Sequence, residues 1–277
     1  MKILVTGANG MLGQDLCPIF EDADFVDEVV ETDIDNLDIT NELQVKKVIK
    51  EENPNIVIHC AAYTNVDKAE DEQELAYKIN VKGTENVARA CKSTDTVMVL
   101  ISTDYVFDGK KGTRYFTDDM PNPLNVYGKT KFEAEKTVQS ICEKYYIVRT
   151  SWLYGHHGKN FVETMIKSAN EGKELKVVND QTGSPTWTVD LSEGLCELLE
   201  EMPEYGIYHI CGSGETTWYE FAKEIFKLAK IDAKILPCTS EEYKAKAKRP
   251  KYSVLENNEV CYNWKKSLKS YLDLRID

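Results

Sequence analysis

Nowhere does this chain carry an apolar run long enough to cross a membrane. Its longest, NIVIHCAAY (55–63) and TVMVLI (96–101), fall well short of the roughly 18–20 residues that a spanning helix needs. MKILVTG enters a strand from its second residue, with no charged leader and apolar stretch before it, so the expectation is a cytoplasmic protein with no membrane contact. Cys-x-x-Cys is missing as well. Eight cysteines (Cys17, Cys60, Cys91, Cys142, Cys196, Cys211, Cys238, Cys261) stand singly, and the four histidines show no ligand spacing; reduced thiols and no metal site are expected. Positive charge is in deficit, with 34 Lys and Arg against 47 Asp and Glu for a net charge of -13. A polyanion would be repelled over most of such a surface, which argues against nonspecific nucleic-acid binding.

One stretch runs against that balance. KAKAKRPK (244–251) gathers Lys244, Lys246, Lys248, Arg249 and Lys251, and reads either as an anion site or as a solvated basic face offsetting Glu241 and Glu242.

What the chain does contain is a rhythm. Short β-branched runs, KILVT, FVDEVVE, NIVIHCA, TVMVLIS, YYIVRT and LKVVN, alternate with helical patterns near 11–20, 41–52, 66–92 and 127–145. The strands lack polar alternation, so both faces are expected to be buried, and the βαβ order predicts an α/β, Rossmann-type doubly wound parallel sheet. After residue 150 the rhythm loosens: helices near 160–171, 188–201 and 217–229 are separated by short strands such as 206–210 and 233–237. The expectation is a dinucleotide-binding domain over 1–150 and a smaller α/β substrate-binding region over 151–277, with some segments of the second returning to the sheet.

The first strand runs into TGANGMLG, which places Gly7, Gly10 and Gly13 at the opening of a helix. Glycines there permit a tight turn and close approach of backbone to a pyrophosphate, while the helix N-terminus offers amide donors. Asp33 falls 20 residues after Gly13. A carboxylate at that place accepts from ribose hydroxyls and repels a 2'-phosphate, so NADH or NADPH is expected, with a lean to NADH. Asp35 and Asp38 stand close enough that the ribose ligand is open among the three.

Tyr127 and Lys131 are four positions apart in NVYGKTKF. That spacing stacks any two side chains on a helix, so by itself it fits a surface pair as well as a catalytic one. ISTDYVFDG puts Ser102 and Thr103 at the carboxyl edge of the fourth strand, where doubly wound sheets gather their ligands, and this gives the pair company.

A glycine-rich first turn, Ser/Thr at the fourth strand and Tyr-x-x-x-Lys resemble the extended short-chain dehydrogenase/reductases. VTGANGMLG, DIDNLDIT, AAYTNVDKAE, INVKGTENVARAC, STDYVFDG, NPLNVYGKTKFEAE, RTSWLYG, GSPTWTVDL and RPKYSVLEN narrow the resemblance to the dTDP-4-dehydrorhamnose reductase family, over nearly the whole chain. The resemblance implies reduction of a nucleotide-linked 4-ketosugar. Tyr127 would be the proton donor, Lys131 the cation that stabilises its phenolate and holds the nicotinamide ribose, and Thr103 the hydroxyl that orients the carbonyl oxygen. It further implies that Gly10, Met11 and Leu12 contact cofactor phosphates, Asp38 and Ile39 the adenine, and Ala61, Ala62, Tyr63 and Thr64 the middle of the cofactor. Asp104 and Trp152 would touch the substrate and Asn80 would support the active site. The cluster around Arg249 suits a nucleoside diphosphate.

Nucleotide-sugar 4,6-dehydratases carry Asp-Glu after the threonine, whereas this chain reads Thr103-Asp104-Tyr105; dehydration is disfavoured. Two alternatives stand beside the reductase: a regulatory subunit resembling that of methionine adenosyltransferase, and a reductase or epimerase of another nucleotide 4-ketosugar. A homodimer is a possible assembly. His59 and His209 are expected in the core, and His156 and His157 receive no role.

Overall fold

The computed structural model describes residues 1–257 and 262–275, so the thiol expected at Cys261 lies outside the described residues. Six strands form the central sheet: β1 (Lys2–Thr6), β2 (Glu28–Thr32), β3 (Ile56–His59), β4 (Val97–Thr103), β5 (Tyr145–Thr150) and β6 (Gly206–His209). Their order is β6-β5-β4-β3-β1-β2, and every pairing is parallel. The order reverses between β1 and β3, leaving a crevice at the carboxyl ends of those strands where an open parallel sheet receives ligands.

Burial on both faces explains the continuous apolar strands. Ile3, Val5, Ile56, Ile58, Val97, Val99 and Val148 point to one face and pack with Leu16 and Phe20 of α1 (Gly13–Glu21) and with Leu191, Leu195 and Leu198 of a later helix, Thr188–Glu201. Their neighbours Leu4, Val57, Met98, Leu100 and Ile147 point to the other. There they meet Val45 and Ile49 of α2 (Glu42–Glu52), Val87 and Cys91 of α3 (Thr84–Ser93), and Ala134 and Val138 of α4 (Val126–Ile141).

The segment expected as one helix over 66–92 is broken. Short helices cover Val66–Ala69 and Gln73–Tyr77, and a π-helical turn over Lys78–Gly83 leads into α3. The wider turn carries Asn80, which is buried, inward to two backbone groups of Tyr63 and to the Thr130 hydroxyl. Beyond β5 lie α5 (Phe161–Asn170), α6 (Thr188–Glu201), α7 (Trp218–Ala229) and α8 (Trp264–Asp273). Their core holds Tyr154, Val162, Ile166, Trp187, Phe221, Ile225, Trp264, Leu268 and Tyr271. The strand expected near 175–179 forms over Leu175–Val178 and pairs with Ile235–Cys238 outside the central sheet. The one expected at 206–210 becomes β6 beside β5. Among the described residues, no helix is long and apolar enough to cross a membrane.

Candidate active site

A cleft of about 1080 Å³ runs along the carboxyl ends of the strands. That volume lies at the upper end of ordinary ligand pockets. Its first wall is the glycine turn. Gly7 has φ +74°, and a Cβ there would lie 2.7 Å from the Ala61 nitrogen; at Gly13 it would lie 2.5 Å from the Ala8 oxygen. Any side chain at either place would push apart the first turn, β3 and α1, so the backbone can approach a phosphate group only with glycine present. Met11 and Leu12 line the same wall, with Gly10 between it and the opening of α1.

At the β2 end, Asp33 accepts from the Asn9 amide at 3.0 Å through Oδ2 and from the Ile34 amide at 2.7 Å through Oδ1. Two backbone donors fix the carboxylate at the rim while lone pairs stay open to ribose hydroxyls. Asp38 and Ile39 continue this wall, and Ala61, Ala62 and Thr64 form the middle. These walls fit a dinucleotide: a glycine cradle, an acid at the ribose end, and an apolar bed between.

Helix α4 brings Tyr127 and Lys131 to the far end. Asn125 caps it, its side chain accepting from the Gly128 amide at 2.7 Å, so Tyr127 and Lys131 stand in the first turns. A Cβ on Gly128 would fall 2.2 Å from the Tyr105 carbonyl oxygen; glycine here lets the helix press against the turn after β4. The result joins Thr103, Asp104, Tyr127 and Lys131 in one cleft with the glycine turn.

The polar contacts within this group are specific. The Thr103 hydroxyl donates to Asp104 Oδ1 at 3.1 Å and accepts from the Tyr105 amide at 3.2 Å. Asp104 is 2% exposed, and its Oδ2 accepts from the Ser253 hydroxyl at 2.5 Å. Burial pushes its carboxyl up to about 7, partly offset by the Ser253 and Thr103 hydrogen bonds. Burial, then the neighbouring Asp104 charge, pushes the Tyr127 phenol up to about 12.

Lys131 is bound to the backbone of β4. Its amine donates to the Ile101 carbonyl oxygen at 2.7 Å, and burial brings it down to about 8, against the charge of Glu135. Ionisation of Asp104 moves the Tyr127 phenol further upward. The phenol keeps its proton at neutral pH, as a proton donor must.

Two expected contacts lie outside the cleft lining. Tyr63 turns its hydroxyl to Glu72 at 2.6 Å, and its backbone groups are held by Asn80. Arg249 grips Asp67 through both terminal nitrogens, at 3.1 and 2.8 Å. Lys246 likewise pairs with Asp71, and the Lys248 carbonyl accepts from Asn125. The basic segment is a strap that fastens the C-terminal region to the short helix at 66–69 and to the cap of α4, with Arg249 and Lys246 paired to acids of that helix and the turn after it. Ser102 leaves the reacting group too: its hydroxyl reaches Glu135 at 2.5 Å. His59 and His209 are buried as expected.

Trp152 lines the cleft and stacks on Trp218, a residue that sequence reasoning missed because it opens an otherwise ordinary amphipathic helix. Asn9, Lys78 and Lys159 also line it; Asn9 lies inside the glycine motif and could have been found there, whereas nothing in their surroundings marks the lysines.

The family described as RmlD substrate binding domain matches residues 1–274. A dTDP-4-dehydrorhamnose reductase of Aggregatibacter actinomycetemcomitans is 38% identical, with 97% of each chain covered. The crystal structure of a dTDP-4-dehydrorhamnose reductase from Clostridium acetobutylicum superposes with a TM-score of 0.95 at 50% identity, covering 99% of both chains. That of a dTDP-4-dehydrorhamnose reductase from Bacillus anthracis, in complex with NADP, gives 0.94 at 42% identity, again over 99% of both.

Proposed function

This chain belongs to the RmlD substrate binding domain family, and from that premise we propose that it reduces the C4 ketone of dTDP-4-dehydro-6-deoxy-L-mannose to dTDP-L-rhamnose with NAD(P)H. The observation that carries the reading is the meeting of Thr103, Tyr127 and Lys131 in one cleft with the glycine turn. NAD(P)H supplies the hydride. Tyr127 gives its phenolic proton to the C4 oxygen, and Thr103 donates a hydrogen bond to that oxygen as negative charge develops there. Lys131, whose amine is bound to the Ile101 carbonyl oxygen, lines the same cleft. Trp152, backed by Trp218, offers the deoxysugar an apolar wall.

The relatives named above as reductases of this sugar support the substrate class. Preference for NADH over NADPH rests on Asp33 alone, and the Bacillus anthracis relative holds NADP. NADH and NADPH oxidation against a panel of nucleotide 4-ketosugars tests the reading. Stoichiometric consumption with the dTDP-4-keto-6-deoxy-L-mannose substrate is expected; conversion of a sugar without net oxidation would point to an epimerase instead.

A further inference from the structure

The Thr103 hydroxyl has one proton, and two acceptors ask for it. Asp104 Oδ1 lies 3.1 Å away and takes it in this structure, while the reduction proposed above needs it on the sugar's C4 oxygen. An ionised Asp104 can only accept, so it holds the proton back. A protonated Asp104 reverses the bond: its own O–H donates to Thr103 Oγ1, and the threonine proton is released to the substrate.

We propose that Asp104 acts in its neutral form as a positioning residue that turns the Thr103 hydroxyl toward the reacting carbonyl oxygen, so that ionisation of this one carboxyl switches the reduction off. The inference rests on the reductase reading.

The geometry around the carboxyl favours it. Ser253 donates to Oδ2 at 2.5 Å, which makes Oδ2 the carbonyl-like oxygen and leaves Oδ1, the one facing Thr103, to carry the proton. Among the described residues, no cation is paired with the group. Lys131 on α4 is bonded to the Ile101 carbonyl oxygen, and Arg249 on the strap is bonded to Asp67. Tyr105 beside Asp104 and Tyr127 on α4 are the other titratable neighbours, and burial pushes both phenols well above neutrality. A carboxyl buried without a cation favours its neutral form, and here it is raised to about 7. The device would thus operate within an ordinary pH range.

The test is the pH profile of kcat/KM for the ketosugar at saturating NAD(P)H, for the wild-type chain, Asp104→Asn and Ser253→Ala. Wild type is expected to lose activity above a midpoint near that carboxyl, by up to about tenfold per pH unit. Asparagine places a permanent N–H donor beside Thr103 and has nothing to ionise. Whatever its absolute rate, Asp104→Asn is expected to lose this limb, leaving only a later fall from Lys131, whose amine burial brings to about 8.

Removing the Ser253 donor destabilises the carboxylate, so Ser253→Ala is expected to move the wild-type limb to higher pH. That variant decides the matter if Asp104→Asn is too slow to profile. The proposal is overturned if Asp104→Asn keeps the wild-type midpoint, if its only change is a higher KM at every pH, or if Ser253→Ala leaves the limb in place or moves it down. Should wild type consume no NAD(P)H with any 4-ketosugar at any pH, the function reading fails instead.

Discussion

The indoles of Trp152 and Trp218 lie face to face, with ring centroids 3.5 Å apart and planes 5° apart. Trp152 holds this position at φ +47°, a conformation unfavourable for a bulky side chain and retained only where the surroundings enforce it. Gly183 is part of that enforcement, since a Cβ there would lie 2.4 Å from the Trp152 Cε2 atom. Gly183→Ala must therefore displace the indole from the cleft wall proposed to face the sugar. Steady-state kinetics are expected to show a KM for the ketosugar raised by about tenfold, the effect of about 1.4 kcal/mol, with cofactor affinity by fluorescence titration unchanged. An unaltered sugar KM would mean that the indole does not touch substrate.

Tyr127→Phe removes the proposed proton donor and leaves the ring. General acid catalysis contributes roughly 100- to 10,000-fold, so kcat is expected to fall by that order while NAD(P)H still binds. Loss of less than tenfold in the oxidation assay would speak against the phenol as donor.

Glu135 and Arg149 form an ion pair buried between α4 and β5, with Nε and Nη2 on the two carboxylate oxygens at 2.9 and 2.7 Å. Both side chains are nearly inaccessible, at 1 and 2%. Glu135→Gln strands the guanidinium charge and is expected to cost about 3–5 kcal/mol of stability, measured by urea unfolding. A shift within 1 kcal/mol would show that Arg149 finds another partner.

This pair also marks where the sequence stops being legible. The sheet could be read because strands buried on both faces need unbroken apolar runs, and the meeting of Thr103, Tyr127 and Lys131 in one cleft because the last two share a helix that follows Thr103. Glu135 and Arg149 lie 14 residues apart in different elements, and no local pattern announces them. Asn80 was visible as a residue, but the π turn that carries it inward depends on Tyr63 and Thr130 being there to receive it. The basic cluster shows the same limit: the acids that pair with Lys246 and Arg249, Asp71 and Asp67, stand some 175 to 182 positions earlier, so no local pattern announces these two ion pairs.

Asp33 offers a separable test of cofactor choice. With its oxygens held by the Asn9 and Ile34 amides, it cannot swing away from a 2'-phosphate. Asp33→Ser removes the negative charge and keeps a hydroxyl, so the ratio of kcat/KM for NADPH to that for NADH is expected to rise by about tenfold or more, the factor that 1.4 kcal/mol of lost repulsion gives. A constant ratio would place the discriminating group elsewhere.

Asp104 links the site to stability. Its carboxyl is raised from 3.8 to about 7 in the folded chain, so between those values the native state keeps a proton that the unfolded state has released. Stability from this group therefore declines as pH rises through that window, and the full penalty is present above about 7. Asp104→Asn has no proton to lose. Urea unfolding at pH 5 and pH 8 is expected to show wild type losing stability relative to Asp104→Asn across the interval, by on the order of 1–3 kcal/mol. Parallel losses in the two proteins would mean that the carboxyl titrates at its ordinary value, and that the fold does not hold it neutral.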